Sequence, residues 1–346
     1  MCVETVIASG DWSGESDTAA LRAAEEKLTK PASQRNTGII MLDGQFMVNE
    51  PLTFGTEASC PIALHSASHS QVSWVGPATD APMLTFCASR QAHSRACMLQ
   101  NVLVNCQRKK DRCSGVVFRD LPHHLLMQNS EVLWWRGVGV DAVNCWCSGL
   151  RDSTILAGNG VALRATDFNE GYLQGLTVQG TDDYWPADLP ADQRAGIVLF
   201  GRGILAQSIE LEGSRYGDYP LIYASTCRSE FDGLWLESTV NTRAKIVLHS
   251  DGKPPGVCEH VTISRVDGTA GGKPGSCRAF LELRGVSRDI TVRDSYLTQL
   301  GESVVFASDG QHSGTRIERV ETAHNTVPAD SLWRAAAGAT ITHLTR

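Results

Sequence analysis

The chain has no run of about 18 apolar residues, which excludes a membrane-spanning helix. Its first residues, MCVETVIASGDWSGES, lack a basic segment followed by an apolar one, so no secretory signal is expected. No CxxC occurs, and the 11 cysteines are an odd number, which argues against a zinc site and against a full disulfide framework. Most of them are read as small buried thiols, with one local bridge open among Cys97, Cys106 and Cys113. No P-loop, HExxH or GxSxG is present, and no GxGxxG follows a strand-like run, so nucleotide, zinc-protease and serine-hydrolase readings have no support. Charged residues make up only 20%, and the net charge of −7 disfavours a phosphate-tracking nucleic-acid binder. No cofactor and no metal is expected.

What the chain does have is a repeat. Short apolar runs begin at Gly115 (GVVF), Gly137 (GVGV), Gly160 (GVAL), Gly196 (GIVL), Leu221 (LIYA), Lys245 (KIVL), Phe280 (FLEL) and Val304 (VVFA). Their spacings are 22, 23, 36, 25, 24, 35 and 24 residues, one period with two insertions. Each unit carries a further β-like run, such as LTVQG, IELEG, LWLES, VTISR and ITVRD. A short repeat with two or three strands and no helix predicts a solenoid whose coils bury their apolar rows by stacking. The expected fold is an all-β, right-handed parallel β-helix of about ten coils in one domain, residues 1–346. Residues 1–55 form an N-terminal cap and entry strands, 56–326 the coils, and 327–346 a C-terminal cap with a short helix around Ala329–Ala337. A capping helix is predicted from Asp17 as N-cap to about residue 29, with Ala20, Leu21, Ala24 and Leu28 on one face and Pro31 beyond its end.

The segment GDWSGESDTAALRAAEEKL, followed by GIIMLDGQFMVNEPLTF, resembles the entry segment of pectate-lyase-like right-handed parallel β-helices, the family of phage tailspikes and polysaccharide depolymerases. The resemblance covers roughly residues 9–54. It implies a virion or extracellular spike without a cleavable signal peptide, a homotrimer, with a bacterial capsule or lipopolysaccharide as partner and no membrane insertion. The fold hosts several chemistries, so activity rests on the residues. Nothing matches the Asp-His or Arg constellation of calcium-dependent pectate lyases. Glycosidic hydrolysis is therefore the favoured reaction; a non-catalytic glycan-binding spike and a polysaccharide lyase or epimerase stay open as alternatives.

Alternation along each strand places equivalent residues of neighbouring coils in rows about 4.8 Å apart. With Leu176/Val178, Ile209/Leu211, Leu234/Leu236, Val261/Ile263 and Ile290/Val292 inward, one outward row reads Thr177, Glu210, Trp235, Thr262, Thr291. The other reads Gln179, Glu212, Glu237, Ser264, Arg293. Glu210, Glu212 and Glu237 thus form the expected catalytic cluster beside Trp235. Glu237 is the expected general acid and Glu210 the water-activating base, with Glu212 stacked directly on Glu237. The insertion after residue 181 and the next loop add Asp183, Tyr184, Trp185, Tyr216 and Tyr219 as sugar-binding residues, since ring faces stack on sugars and carboxylates accept hydroxyl hydrogen bonds. Trp134 is expected in the core, Trp134–Arg136 and Trp146 being a weaker aromatic strip. His123 and His124 are expected at the surface, and Arg108–Arg112 as a solvated basic turn. The second insertion, 251–255 and 268–275, is expected to be a loop.

Overall fold

A computed structural model describes residues 3–31, 37–90, 96–108, 111–181, 183–214, 219–238, 242–250, 256–268, 277–308, 310–326 and 342–344. The expected helix around Ala329–Ala337 lies outside these residues. So do the basic pair 109–110 and most of the second insertion. The described chain is almost entirely parallel strand and falls into two compact units, one of residues 1–168 with 184–186, the other of 169–183 with 187–346. Each is a stack of coils of the right-handed parallel β-helix. Among the described residues no helix is long and apolar enough to cross a membrane.

In the first unit Val3–Asp11 pairs with Thr37–Val48, which pairs with Ile62–Trp74, and so on through Cys97–Asn105 to Gly149–Thr166. A second stack runs through Leu52–Phe54, Pro82–Cys87, Ser114–Arg119 and Arg136–Val143 to the later half of Gly149–Thr166. In-register pairing turns sequence periodicity into ladders. Phe54, Phe86 and Phe118 stack with centroids 5.3 Å apart at each step, and all three are buried. Phe118 closes the GVVF run, and Phe54 and Phe86 carry its row into the coils before that run.

The helix spans Gly14–Leu28, one turn earlier than expected, with Ser13 at its N-cap. Asp17 is therefore inside the helix and has a different task. Its Oδ1 accepts the Asp11 N–H at 3.0 Å and its Oδ2 the Met47 N–H at 2.8 Å, which ties the helix to two strands. Leu21, Ala24 and Leu28 are buried on the helix face that covers these strands. An amphipathic face laid on an open stack of strands shields core that would otherwise meet water.

Two other expectations change. Trp134 has φ 62°, so the strand reverses its alternation there: Trp134 is 42% exposed and Trp135 takes the core position. His124 is buried, because its backbone N–H binds the buried Ser148 hydroxyl and its ring lies against the main chain of Ala96. Ten cysteines are described, all free thiols, and eight are buried. The hairpin formed by Gln107–Arg108 and Asp111–Arg112 brings Cys106 and Cys113 opposite each other, with the Cys113 N–H on the Cys106 carbonyl at 3.1 Å.

In the second unit each coil has three strands. First strands include Glu230–Asp232, second strands Trp235–Ser238 and third strands Thr242–His249. First and second strands meet at a bend, and the bend residue is left-handed in every coil: Gly175, Ser208, Gly233, Arg265, Asp294 and Arg319 have φ between 49° and 64°. That conformation costs a non-glycine residue about 1 kcal/mol or more. Here it recurs because each bend is stacked on its neighbour. Asp232 accepts from Arg265, and Asp294 from Arg319, both through paired guanidinium contacts.

Burial holds the His124 pKa down to about 4, and desolvation also lowers His65. A histidine kept neutral in the fold but titrating near 6.5 when unfolded contributes its full stability above pH 6.5 and loses it as pH falls towards 4, because the unfolded chain then binds more protons. For His124 the loss is on the order of 3 kcal/mol. Urea midpoints measured between pH 7 and pH 4.5 should fall, and a His124→Gln variant should show a smaller drop across the same range.

Candidate functional site

The row proposed from sequence is real for three coils and then changes partners. Thr177 pairs with Glu210, and Glu210 with Trp235. Trp235 pairs with Asp267, not Thr262, and Asp267 pairs with Tyr296 and Tyr296 with Glu321. Thr262, Thr291, Ser264 and Arg293 belong to the first strands, on the other side of the bend. The expected inward residues are all buried, but Leu234 leads into a second strand whereas Val261 lies in a first strand. The strand signal in VTISR and in LWLES is the same, and the bend between them has no single residue type to mark it.

The resulting row of second-strand residues is Thr177, Glu210, Trp235, Asp267, Tyr296, Glu321. Trp235 is 45% and Tyr296 40% exposed. Thr177 donates its hydroxyl hydrogen to Glu210 Oε2 at 3.3 Å, which holds that carboxylate on the strand surface. Asp267 and Tyr296 lie outside the expected rows, which take Thr291 and Arg293 from the ITVRDSYLT run; Tyr296 sits beyond the bend at Asp294.

Glu237 is half-buried, two residues beyond the Glu210–Trp235 pair. The ladder holds at Leu211–Leu236 but resumes only at Ser214–Ser238, so residues 212 and 213 together oppose the one residue Glu237. This bulge replaces the direct stacking expected of Glu212 on Glu237. The Glu212 side chain lies outside the described residues, as does Tyr216. Behind the row sits Lys245, fully buried, with its Nζ donating to the Leu236 carbonyl at 3.1 Å. Burial lowers its pKa, against the opposing pull of Cys277, Glu237 and Asp267. Asp267 Oδ1 is itself out of water without a hydrogen bond.

The other sugar-binding candidates are dispersed. Tyr184 and Trp185 belong to the first unit. There the Tyr184 ring lies under the Arg136 guanidinium at 4.1 Å, accepts from its Nη2 at 3.0 Å and donates to Asp80 at 2.8 Å. Asp183 is exposed in the second unit and accepts the Thr181 hydroxyl at 2.8 Å. Tyr219 accepts from Arg194 Nη1 at 3.2 Å, at the lead-in to the third strands.

Those third strands carry a polar group that sequence reading missed. Tyr223 Oη and His249 Nδ1 are 2.6 Å apart. On the next coil Glu282, 1% exposed, binds Arg284 Nε at 3.0 Å and Nη2 at 3.2 Å, and Arg284 Nη1 donates to the Asp192 carbonyl at 3.2 Å. These residues sit in LIYA, KIVLH and FLELR, which were read as core markers. The available signal was a polar residue at the same place in successive runs: Tyr223 and Glu282 third, His249 and Arg284 fifth. Among the described residues no three His, Cys, Asp or Glu side chains are grouped to hold a metal ion.

No protein-family model and no curated protein matches the chain. Solved structures do. ORF18 of Geobacillus virus E2 superposes with a TM-score of 0.57 at 12% identity, covering 98% of this chain. The chain spans 60% of that protein's length. The A-module of the Azotobacter vinelandii mannuronan C-5 epimerase AlgE6 gives 0.54 at 11% identity, covering 97% of this chain and 96% of the module. The DFA-IIIase of Arthrobacter chlorophenolicus A6 gives 0.52 at 8% identity, with 91% and 81% covered. The shared feature is the fold. It is a parallel β-helix.

The two ion pairs of the later coils test how burial sets the value of a charge. Glu282→Ala leaves Arg284 without its counter-ion and should cost about 3–5 kcal/mol. Glu302→Ala removes the Arg278 partner from an exposed pair and should cost at most about 1 kcal/mol. Chemical unfolding of both variants measures the contrast.

Proposed function

We propose that this protein binds and depolymerises a bacterial surface polysaccharide by glycosidic hydrolysis, as a spike of phage or prophage type acting as a homotrimer. The observation that carries the reading is the in-register pairing of Glu210 with the exposed Trp235, since a ring face beside a carboxylate is what a sugar ring needs for stacking and hydrogen bonding. A protein named as a mannuronan epimerase shares the fold, which supports a carbohydrate-polymer substrate.

Hydrolysis needs one protonated and one ionised carboxyl. Glu210 and Glu237 are diagonal neighbours, one coil and two residues apart, which sets their Cα atoms about 7–8 Å apart. Side chains projecting in parallel keep the carboxyls far enough apart to admit a water, as inversion requires, and inversion is the outcome proposed. Glu237 donates to the leaving oxygen and Glu210 activates the water. Glu212, from the bulged strand, tunes the pair. The second reading is a lyase or epimerase, favoured by the Tyr223–His249 contact beside Arg284, which could serve a proton abstraction next to a sugar carboxylate.

Turnover on capsules and lipopolysaccharides of candidate hosts tests both. New reducing ends with inverted anomeric configuration are expected, and Glu210→Gln and Glu237→Gln should each lower turnover at least about 100-fold with binding retained. Trp235→Ala should weaken binding by about 1 kcal/mol, roughly fivefold. An unsaturated-uronate absorption band would favour the second reading. Binding without any cleavage would reduce the protein to an adhesin.

A further inference from the structure

The second-strand row extends past the pair that the hydrolytic reading uses, and its chemistry narrows the substrate. Trp235 and Tyr296 are two rungs apart on one row, about 10 Å, with Asp267 on the rung between them. Glu210 precedes Trp235 and Glu321 follows Tyr296. Two exposed rings in line along the stack, each between two carboxyl-bearing positions, can engage successive sugars of a chain that runs along the stack of coils.

Among the described residues, the arginines at the bends beside this row each have an aspartate within salt-bridge distance. Arg265 is paired with Asp232, Arg319 with Asp294, and Arg293 has Asp294 at 3.9 Å. Lys245 is fully buried behind the strand, and its charge is drawn on by Glu237 and Asp267. Among the described residues, the row from Thr177 to Glu321 is therefore hydroxyl-bearing, aromatic and acidic, and none of its six positions is a lysine or arginine. A uronate or other polyanionic chain laid on it would set like charges one to two rungs apart, within about one Debye length at physiological salt.

We propose that the row from Glu210 to Glu321 takes a polysaccharide built of uncharged or amino-bearing sugars and rejects polyanionic ones, with Tyr296 and Asp267 as specificity-determining contacts. This rests on the glycan-binding reading above.

The test is affinity electrophoresis of the full chain in gels carrying neutral glucans, mannans and galactans, chitosan oligosaccharides, or polygalacturonate, alginate and hyaluronan. The expected result is retardation by one or more neutral or amino-bearing polymers and at least tenfold weaker retardation by every polyanion at low salt. Tyr296→Ala should weaken the retained polymer. Glu210→Gln with Asp267→Asn and Glu321→Gln should narrow the gap between polymer classes, as should raising the salt. Retardation by polyanions alone, abolished by Trp235→Ala, would overturn the charge selection while keeping the glycan reading. Retardation that is indifferent to the triple variant and to Tyr296→Ala would also overturn it. No retardation by any polymer would remove both readings.

Discussion

Everything in this protein depends on the hydrogen bonding of one coil to the next in parallel register. A rung of about 4.8 Å brings equivalent residues into contact whether or not they suit one another. The constraint is severe where the backbone is strained. Six successive bend residues in the second unit share the left-handed conformation, although only Gly175 and Gly233 are glycines. A serine, an aspartate and two arginines accept it because a coil that bent elsewhere would lose its ladder on both sides. The Arg319–Asp294 pair is exposed and contributes little as an ion pair, whereas Arg265 reaches over a buried Asp232. Their place is explained by geometry, since a stacked bend puts the side chains of successive coils side by side.

The same register makes a surface row out of residues 25 to 32 apart in the chain. Glu210, Trp235, Asp267, Tyr296 and Glu321 have no local relation to each other; ladder pairing alone aligns them. Such a row suits a long repeating ligand, because both partners repeat along a line. The bulge at residues 212 and 213 is the one local departure. It sets residues 212 and 213 together opposite Glu237, in place of the one-to-one pairing that the repeat predicts.

Burial of charge sets a second pattern. Lys245 lies fully buried at the first position of a KIVL run, and Glu282 nearly so in FLEL. A buried charge persists only with partners. Glu282 has both edges of the Arg284 fork, and Lys245 has a carbonyl and the field of two carboxylates. Both sit on third strands of the second unit, whose apolar runs thereby hold polar chemistry inside a ladder that is otherwise Val, Ile and Leu.

By itself the sequence determined the fold: a period near 24 with alternating apolar positions admits a stack of β-coils and little else, and an amphipathic helix before the first coil reads as its cover. It also sufficed for the Thr177–Glu210–Trp235 row, because those strands belong to consecutive coils and the first insertion accounts for the longer of the two steps. Tertiary structure decided the rest. The continuation to Asp267 and Tyr296 turned on which of two similar β-runs in a coil pairs with which, and a bend made by Gly, Ser, Arg or Asp leaves no residue signature. Trp134 and Trp135 exchanged places because one positive φ reverses alternation. Hydropathy averages over a run and so passes over the Tyr223–His249 contact, which depends on two atoms meeting across coils, and the Glu282–Arg284 contact, which lies within one strand.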